Sequence, residues 1–364
     1  MIDHLCHIED LILDQGPVGA MKINNHLWSI QQGGAALSTK WDGAPSIFAG
    51  WIDDEFFVST KSYLNKGGAV TYNLDNIESA DIATGLKIKL RHCLRLLPDV
   101  IPKGMILQGD LLFTPGEVFA TPEYPDLWMC HPNTLVYGFP NKWWEGWEMA
   151  VAWHTWIDKN GNQSHPPFGK LLSNDKVLAI DPHIHQYSID EDITTSPARS
   201  FDAIDMEYLE SVTSDPTIVK LIKRAYNSRI RDGAAFMHSS WLYTYVRDEL
   251  TASVEKLKTE RGRMRRRAAK NGILDVLREF DKMDAILMFQ DDVRVSKLKV
   301  INSLDTDSKV QTFVSKDDGL HPAAHEGYVV FGQSETLKLV NRSQFSYHNF
   351  SSNIHKGWDA PTRT

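Results

Sequence analysis

The chain has 364 residues, 42% of them hydrophobic and 24% charged, with a net charge of −8. That composition supplies a sizeable core and excludes a disordered chain, and no run of about 18 apolar residues marks a membrane span. Three scattered cysteines, Cys6, Cys93 and Cys130, fit neither a disulfide framework nor a cysteine zinc site. With no secretory pattern at the N-terminus, they suit a reducing cytoplasm.

Residues 1–32 read as a helical lead-in, with Leu5, Ile8, Leu11 and Ile12 at helical spacing. Two strands follow, Ser46 to Trp51 and Phe56 to Thr60, around the turn-prone Asp53-Asp54. A helix is predicted over 79–97, where Leu86, Leu90, Cys93, Leu94 and Leu97 share a face and Pro98 is the stop. Met105 to Phe113, Thr134 to Phe139 and Met149 to Trp156 read as strands, and 160–200 as loop. The stretch 203–304 carries charges at helical spacing and a single proline, Pro216, and predicts four or five helices. Gly327 to Phe331 and Thr336 to Val340 then make a hairpin. Strand-rich segments therefore flank a helical one. The charge follows the same division. Residues 220–300 hold 19 Lys and Arg against 11 Asp and Glu, and the densest block runs from Arg261 to Lys270 with six basic residues and no acid. Such a block is either a solvated helix face or a phosphate-binding strip.

Three local signals carry chemistry. The first is Lys40-Trp41-Asp42-Gly43. It is either a surface lysine before a turn or a nucleophilic lysine, which must lose its proton before it attacks; a neighbouring cation or a desolvating pocket would lower its pKa. The second is Asp110, a carboxylate after Gly109 within an apolar strand, where it needs a partner unless it sits at a solvated strand end. The third is Glu326-Gly327-Tyr328-Val329, followed by Leu337-Lys338-Leu339-Val340-Asn341-Arg342; alternation predicts Lys338, Val340 and Arg342 on one strand face.

In this order the residues resemble the covalent nucleotidyltransferase superfamily of ATP-dependent polynucleotide ligases and mRNA capping enzymes. Glu326-Gly327-Tyr328-Val329 looks most like the phage RNA ligases. The chain as a whole also resembles an uncharacterised family of large tailed-phage proteins, through its lead-in helix, Thr39-Lys40-Trp41-Asp42-Gly43-Ala44-Pro45 and Lys338-Leu339-Val340-Asn341-Arg342 with Phe345. The resemblance implies an α+β fold. Its nucleotidyltransferase core (ATP-grasp-like ligase adenylation) has antiparallel sheets flanked by helices and is divided between 1–200 and 306–364, with a large helical insertion over 201–305.

The resemblance also implies roles. Lys40 would form a phosphoramidate with AMP, with Asp42 beside the nucleotide. Lys61, in Thr60-Lys61-Ser62, would lie near the phosphates where the family has arginine. Asp110 would take the ribose hydroxyl, where the family usually has glutamate, and Phe139 would stack on the purine, with Tyr137 as the alternate. Asp110 and Glu326 would hold Mg²⁺ or Mn²⁺, whose preferred ligands are carboxylate and phosphate oxygens. Lys338 would contact the α-phosphate and lower the pKa of Lys40. Val340 stands where a second lysine is usual, and Arg342 would replace its charge. An OB domain normally follows the Lys338 strand in DNA ligases and capping enzymes, and the 26 residues that follow here point instead to an ATP-dependent RNA ligase of phage type. It would be a cytoplasmic monomer in an infected bacterial host, acting on RNA or DNA strand ends held by Arg261, Arg263, Arg265, Arg266, Arg267 and Lys270. An adenylyltransferase that does not seal strands, and a non-catalytic nucleic-acid-binding protein of the same fold, remain the alternatives.

Other residues read as structural. Trp143, Trp144, Trp147, Trp153 and Trp156 are expected to pack a core. Asp181, His183, His185 and His165 match no zinc spacing and are expected in an exposed loop. Gly67-Gly68 after Lys66 is expected to be a plain turn.

Overall fold

The computed structural model describes residues 5–60, 71–158, 160–164, 173–234, 236–332, 335–345 and 353–357. In chain order it begins with β1 (Cys6–His7), α1 (Leu11–Gln31), β2 (Ala36–Lys40), β3 (Ser46–Ile52), β4 (Glu55–Ser59) and α2 (Thr84–Leu96). There follow β5 (Ile106–Phe113), β6 (Val118–Phe119), β7 (Leu127–Cys130), β8 (Leu135–Pro140), β9 (Met149–Ile157), β10 (Gln163–Ser164), β11 (Val177–Ile180) and β12 (His183–Ile184). The helical segment comprises α3 (Thr195–Asp202), α4 (Met206–Thr213), α5 (Pro216–Arg231), α6 (Ser239–Glu255), α7 (Glu260–Leu277) and α8 (Phe280–Asp307). The last strands are β13 (Gln311–Lys316), β14 (Gly319–Pro322), β15 (Gly327–Phe331) and β16 (Thr336–Leu339). The fold is mixed α+β with open, mainly antiparallel sheets. No described helix is long and apolar enough to cross a membrane.

One expectation is corrected. The stretch 160–200 is not simply loop: it contributes β10, β11, β12 and the start of α3. Short strands paired over two to four residues leave no clear period in the sequence, so composition alone hid them. The stretch 203–304 holds five helices, α4 to α8, in line with the four or five expected, and α3 precedes it. Asp205, Asp215 and Thr259 each cap one by accepting a backbone N–H, and Pro216 opens α5, where its missing donor costs nothing.

The strands form three sheets, in the orders β1-β16-β15-β2-β12, β10-β9-β5-β3-β4 with β11 beside β9, and β14-β13-β8-β7-β6. The first sheet decides where the chemistry can sit. Leu37, Tyr328, Val330, Leu337 and Leu339 point from one face into a core shared with α1 and the helical segment. Side chains alternate along a strand, so Ser38, Lys40, Val329 and Lys338 occupy the other face. The register agrees: Lys40 lies opposite Gly327, and Ser38 opposite Val329, which in turn lies opposite Lys338. The helices thus lack a separate core and back the strands that carry both lysines.

The second sheet packs Ile47, Ala49, Leu107 and Trp153 against Leu90, Cys93 and Leu94 of α2. Each large apolar side chain there contributes about 1.5–3 kcal/mol by leaving water. Trp41, Phe113, Trp128, Tyr137 and Phe139 form a further aromatic core. The tryptophan run is accordingly structural in part: Trp153 is fully buried, whereas Trp144 is exposed.

Candidate active site

Lys40 is the last residue of β2, and Glu326 immediately precedes Gly327, its partner across the ladder. The adjacency is enforced by Gly327, which has φ +145° and whose missing Cβ would lie 2.2 Å from the Leu339 carbonyl oxygen. Only glycine adopts that conformation with so close an approach. The Lys40 ammonium donates to Glu326 Oε1 in a direct ion pair. Both face an open cavity of about 510 Å³ whose wall includes Asp42, Gly43, Ser46, Asp110 and Asn133. Gly43 passes against β5: a Cβ on it would meet the Asp110 Cβ at 2.6 Å. The glycine of the K-x-D-G motif therefore lets the lysine strand close onto the strand of Asp110.

A family model described as a family of unknown function (DUF6267) matches residues 3–354. The chain belongs to that family. No curated protein and no solved structure matches it.

The electrostatics of this DUF6267 site run opposite to one expectation. Burial would lower the Lys40 pKa, but Glu326, Asp110 and Asp42 outweigh it and hold the ammonium above the ordinary lysine range. The cation that is depressed is Lys338, lowered by burial and then by the positive charges of Lys40 and Arg342. Like-charge repulsion between the lysines is present, then, but it falls on Lys338, because Lys40 has a carboxylate in contact. Burial pushes Glu326 up to about 7 against the pull of Lys40, with Asp42 and Asp110 adding to the push.

Asp42 is expected on the nucleotide, yet its carboxylate is buried and already accepts from Asn133 Nδ2 at 2.6 Å and from the Thr134 and Leu135 backbone N–H groups at 2.8 and 2.9 Å. It anchors the start of β8 and so fixes the turn after Lys40. Phe139 is also displaced from its expected role. It is buried between Trp128, stacked at 4.3 Å, and Trp41, nearly parallel at 6.1 Å. Tyr137, the alternate, is buried as well, and its hydroxyl accepts the Asp42 N–H at 2.6 Å. The aromatic side chains that do line the cavity are Trp41 and Phe345.

Arg342 does not share a strand face with Lys338. The strand ends at Leu339, and Arg342 turns away to donate to Asp10 at 2.8 Å, with Glu9 at 3.6 Å and the Tyr226 ring at 5.0 Å. Glu9 is fully buried and also holds Lys297 of α8 at 2.6 Å. This cluster joins the N-terminal segment, the helical segment and the chain just past Lys338.

Arg261, Arg265, Arg266 and Arg267 are exposed on the first half of α7, whose buried residues Ile273, Leu274 and Leu277 all lie in its second half. Arg263 donates to the Leu257 carbonyl, Arg267 approaches Glu260 at 3.5 Å and Lys270 donates to Thr251. His183 lies on β12, an edge strand beside β2, with Asp181 at 2.7 Å from its Nδ1; the expected exposed loop is in fact part of the first sheet. His185 is exposed as expected and also approaches Asp181, at 3.1 Å. Lys61, Lys66, Gly67, Gly68 and His165 lie outside the described residues. Sequence reasoning missed His154, whose Nε2 lies 3.8 Å from Asp110 Oδ2. Nothing in its local pattern marks it, because its position depends on a break in strand register.

Proposed function

We propose that this chain is a covalent nucleotidyltransferase, an ATP-dependent polynucleotide ligase whose Lys40 accepts AMP. The observation that carries the reading is the convergence of Lys40, Glu326 and Asp110 on one cavity, with Lys338 on the same sheet face. These residues are separated by up to 298 positions in the chain, and the sheet order brings them together. The mixed α+β architecture is compatible with the nucleotidyltransferase core that the resemblance implies.

In the first step the Lys40 amine attacks the α-phosphorus of ATP. An N–P bond forms, the P–O bond to pyrophosphate breaks, and the proton of the ammonium is released. That proton is held while the charged Glu326 is in contact, so engagement of the Glu326 carboxylate elsewhere lets the amine lose it. Lys338, half-buried and without an acid partner among the described residues, offers positive charge to the phosphate as the leaving group departs. The donor set suits Mg²⁺ or Mn²⁺: Glu326 and Asp110 supply carboxylate oxygens, and such ions are commonly held by one or two carboxylates completed by substrate phosphates. No group of three or more potential ligands that could hold a metal alone occurs among the described residues. Such an ion would neutralise charge on the phosphates. In the later steps AMP would pass to a 5′-phosphate and the strand would be sealed, with the exposed arginines of α7 gripping the polynucleotide backbone.

The test is incubation with α-labelled ATP and Mg²⁺, followed by denaturation and mass spectrometry. Label is expected on Lys40 and is expected to vanish in Lys40→Ala. Label retained in that variant refutes the assignment. Strand-joining assays on nicked and single-stranded RNA and DNA separate a ligase from an adenylyltransferase that does not seal.

A further inference from the structure

From Glu260 to Ala269 every residue of α7 is exposed except Gly262 and Arg263, which are half-buried, and the first buried residue is Ile273. The first half of this helix therefore stands clear of the core that its second half enters. Ile273, Leu274 and Leu277 mark the side toward the bundle. At 3.6 residues per turn Arg263 and Lys270 continue that side, and they are held there by the Leu257 carbonyl and the Thr251 hydroxyl. Met264, Ala268 and Gly272, each four residues from the next, form an exposed line on the opposite side. Arg261 and Arg265 border that line on one flank. Arg267 borders it on the other, with Glu260 at 3.5 Å. Consecutive residues lie about 100° apart, so Arg266 falls on the back of the helix, away from the line.

A face of small residues with cations on both flanks fits a polyanion that has two walls. A flat row of phosphates meets one flank only, because Arg265 and Arg267 lie about 200° apart around the helix. The major groove of B-form DNA is about 12 Å wide, takes in an α-helix and has phosphates along both rims. Ala268 and Gly272 let the helix backbone approach the base edges, and Met264 and Ala268 offer apolar contact to a thymine methyl. The major groove of A-form RNA is too deep and narrow to be entered in this way. Single strands are held by bases stacked on aromatic side chains, and α7 contains none.

We propose that the exposed half of α7 enters the major groove of duplex DNA, with Met264, Ala268 and Gly272 toward the base edges and Arg265 and Arg267 on opposite phosphate rims. The grip rests on the ligase reading for its purpose, and it narrows the strand ends to those of a DNA duplex.

The experiment titrates the full-length protein, without nucleotide, against a short labelled DNA duplex, the RNA duplex and the DNA single strand of the same sequence, and phosphatidylserine vesicles. The DNA duplex is expected to bind at least about tenfold more tightly than the RNA duplex or the single strand. Arg265→Ala and Arg267→Ala are each expected to weaken duplex binding and to lower its salt slope by about 0.9, and Arg266→Ala to change both by less than half as much. Ala268→Trp keeps the charge but puts bulk on the line toward the bases, and is expected to weaken duplex binding about fivefold or more. Equal affinity for the three polynucleotides, a preference for RNA or for the single strand, or vesicle binding without duplex binding overturns the inference. So does unchanged duplex binding in Ala268→Trp, or a loss in Arg266→Ala equal to that of the other two arginines. Duplex binding by a protein that takes no covalent label upholds the groove contact and refutes the transfer reading; label on Lys40 without duplex binding does the reverse.

Discussion

Arg342 separates a catalytic from a structural account of the strand that bears Lys338. Replacing it with leucine removes the 2.8 Å bond to Asp10, the 3.6 Å approach to Glu9 and the cation–π contact with Tyr226. Breaking one partner of a buried ion pair costs about 3–5 kcal/mol. The lower end applies here, because Glu9 keeps Lys297 at 2.6 Å. A loss of about 3 kcal/mol lowers the melting temperature of a 364-residue protein by roughly 4 °C. Asp10 gives the loss a pH signature. Burial holds its carboxyl above the ordinary range despite Arg342, and without Arg342 it rises further. A carboxyl raised in the folded state binds more protons there than in the unfolded chain, so the stability of Arg342→Leu should recover partly as pH falls from 7 to 5. The assay is thermal unfolding by circular dichroism across that range, with single-turnover labelling measured well below the transition. Labelling within about threefold of wild type, with the expected fall in melting temperature, supports the structural role. An unchanged melting temperature with labelling reduced more than about tenfold would refute it and return Arg342 to the phosphates.

Two further outcomes follow from the site and from α7. Glu326 is pushed up to about 7 by burial and Lys40 is held above the lysine range by its carboxylates, so both groups carry a proton that must leave. The labelling rate should therefore rise between pH 6 and 9, and at pH 6 more Mg²⁺ should be needed for half-maximal rate, because protons compete for the Glu326 carboxylate. A rate that falls over this range contradicts the assignment. Reversing Arg265, Arg266 and Arg267 to glutamate should weaken polynucleotide binding by at least about tenfold and flatten its salt dependence, while self-labelling of Lys40 stays near normal; unchanged binding in a filter or anisotropy assay makes α7 a solvated structural face.

What the sequence made legible was what strand alternation and short motifs govern. The hairpin of β15 and β16 followed from period two, and so did the placement of Lys338 on the face opposite Leu337 and Leu339. Extending that alternation to Arg342 failed because a strand keeps its period only while its ladder continues. The paired register ends with Leu339 opposite Tyr328, and at Gly327 the backbone turns to φ +145°. Val340 is then buried and Arg342 is drawn to Glu9 and Asp10, carboxylates more than 300 residues away that no local pattern could supply. Phe139 exposes a second limit. An aromatic residue in an apolar strand can stack on a base or be covered by the protein, and only the packing of Trp41 and Trp128 settles that protein rings, not a base, occupy its faces. His154 is the clearest case. Its spacing from Ala152 is that of an ordinary strand, and its approach to Asp110 arises from a one-residue register shift between β5 and β9. Convergence of distant residues on a cavity is therefore a property of register, and register is fixed by the whole set of cross-strand neighbours rather than by any segment alone.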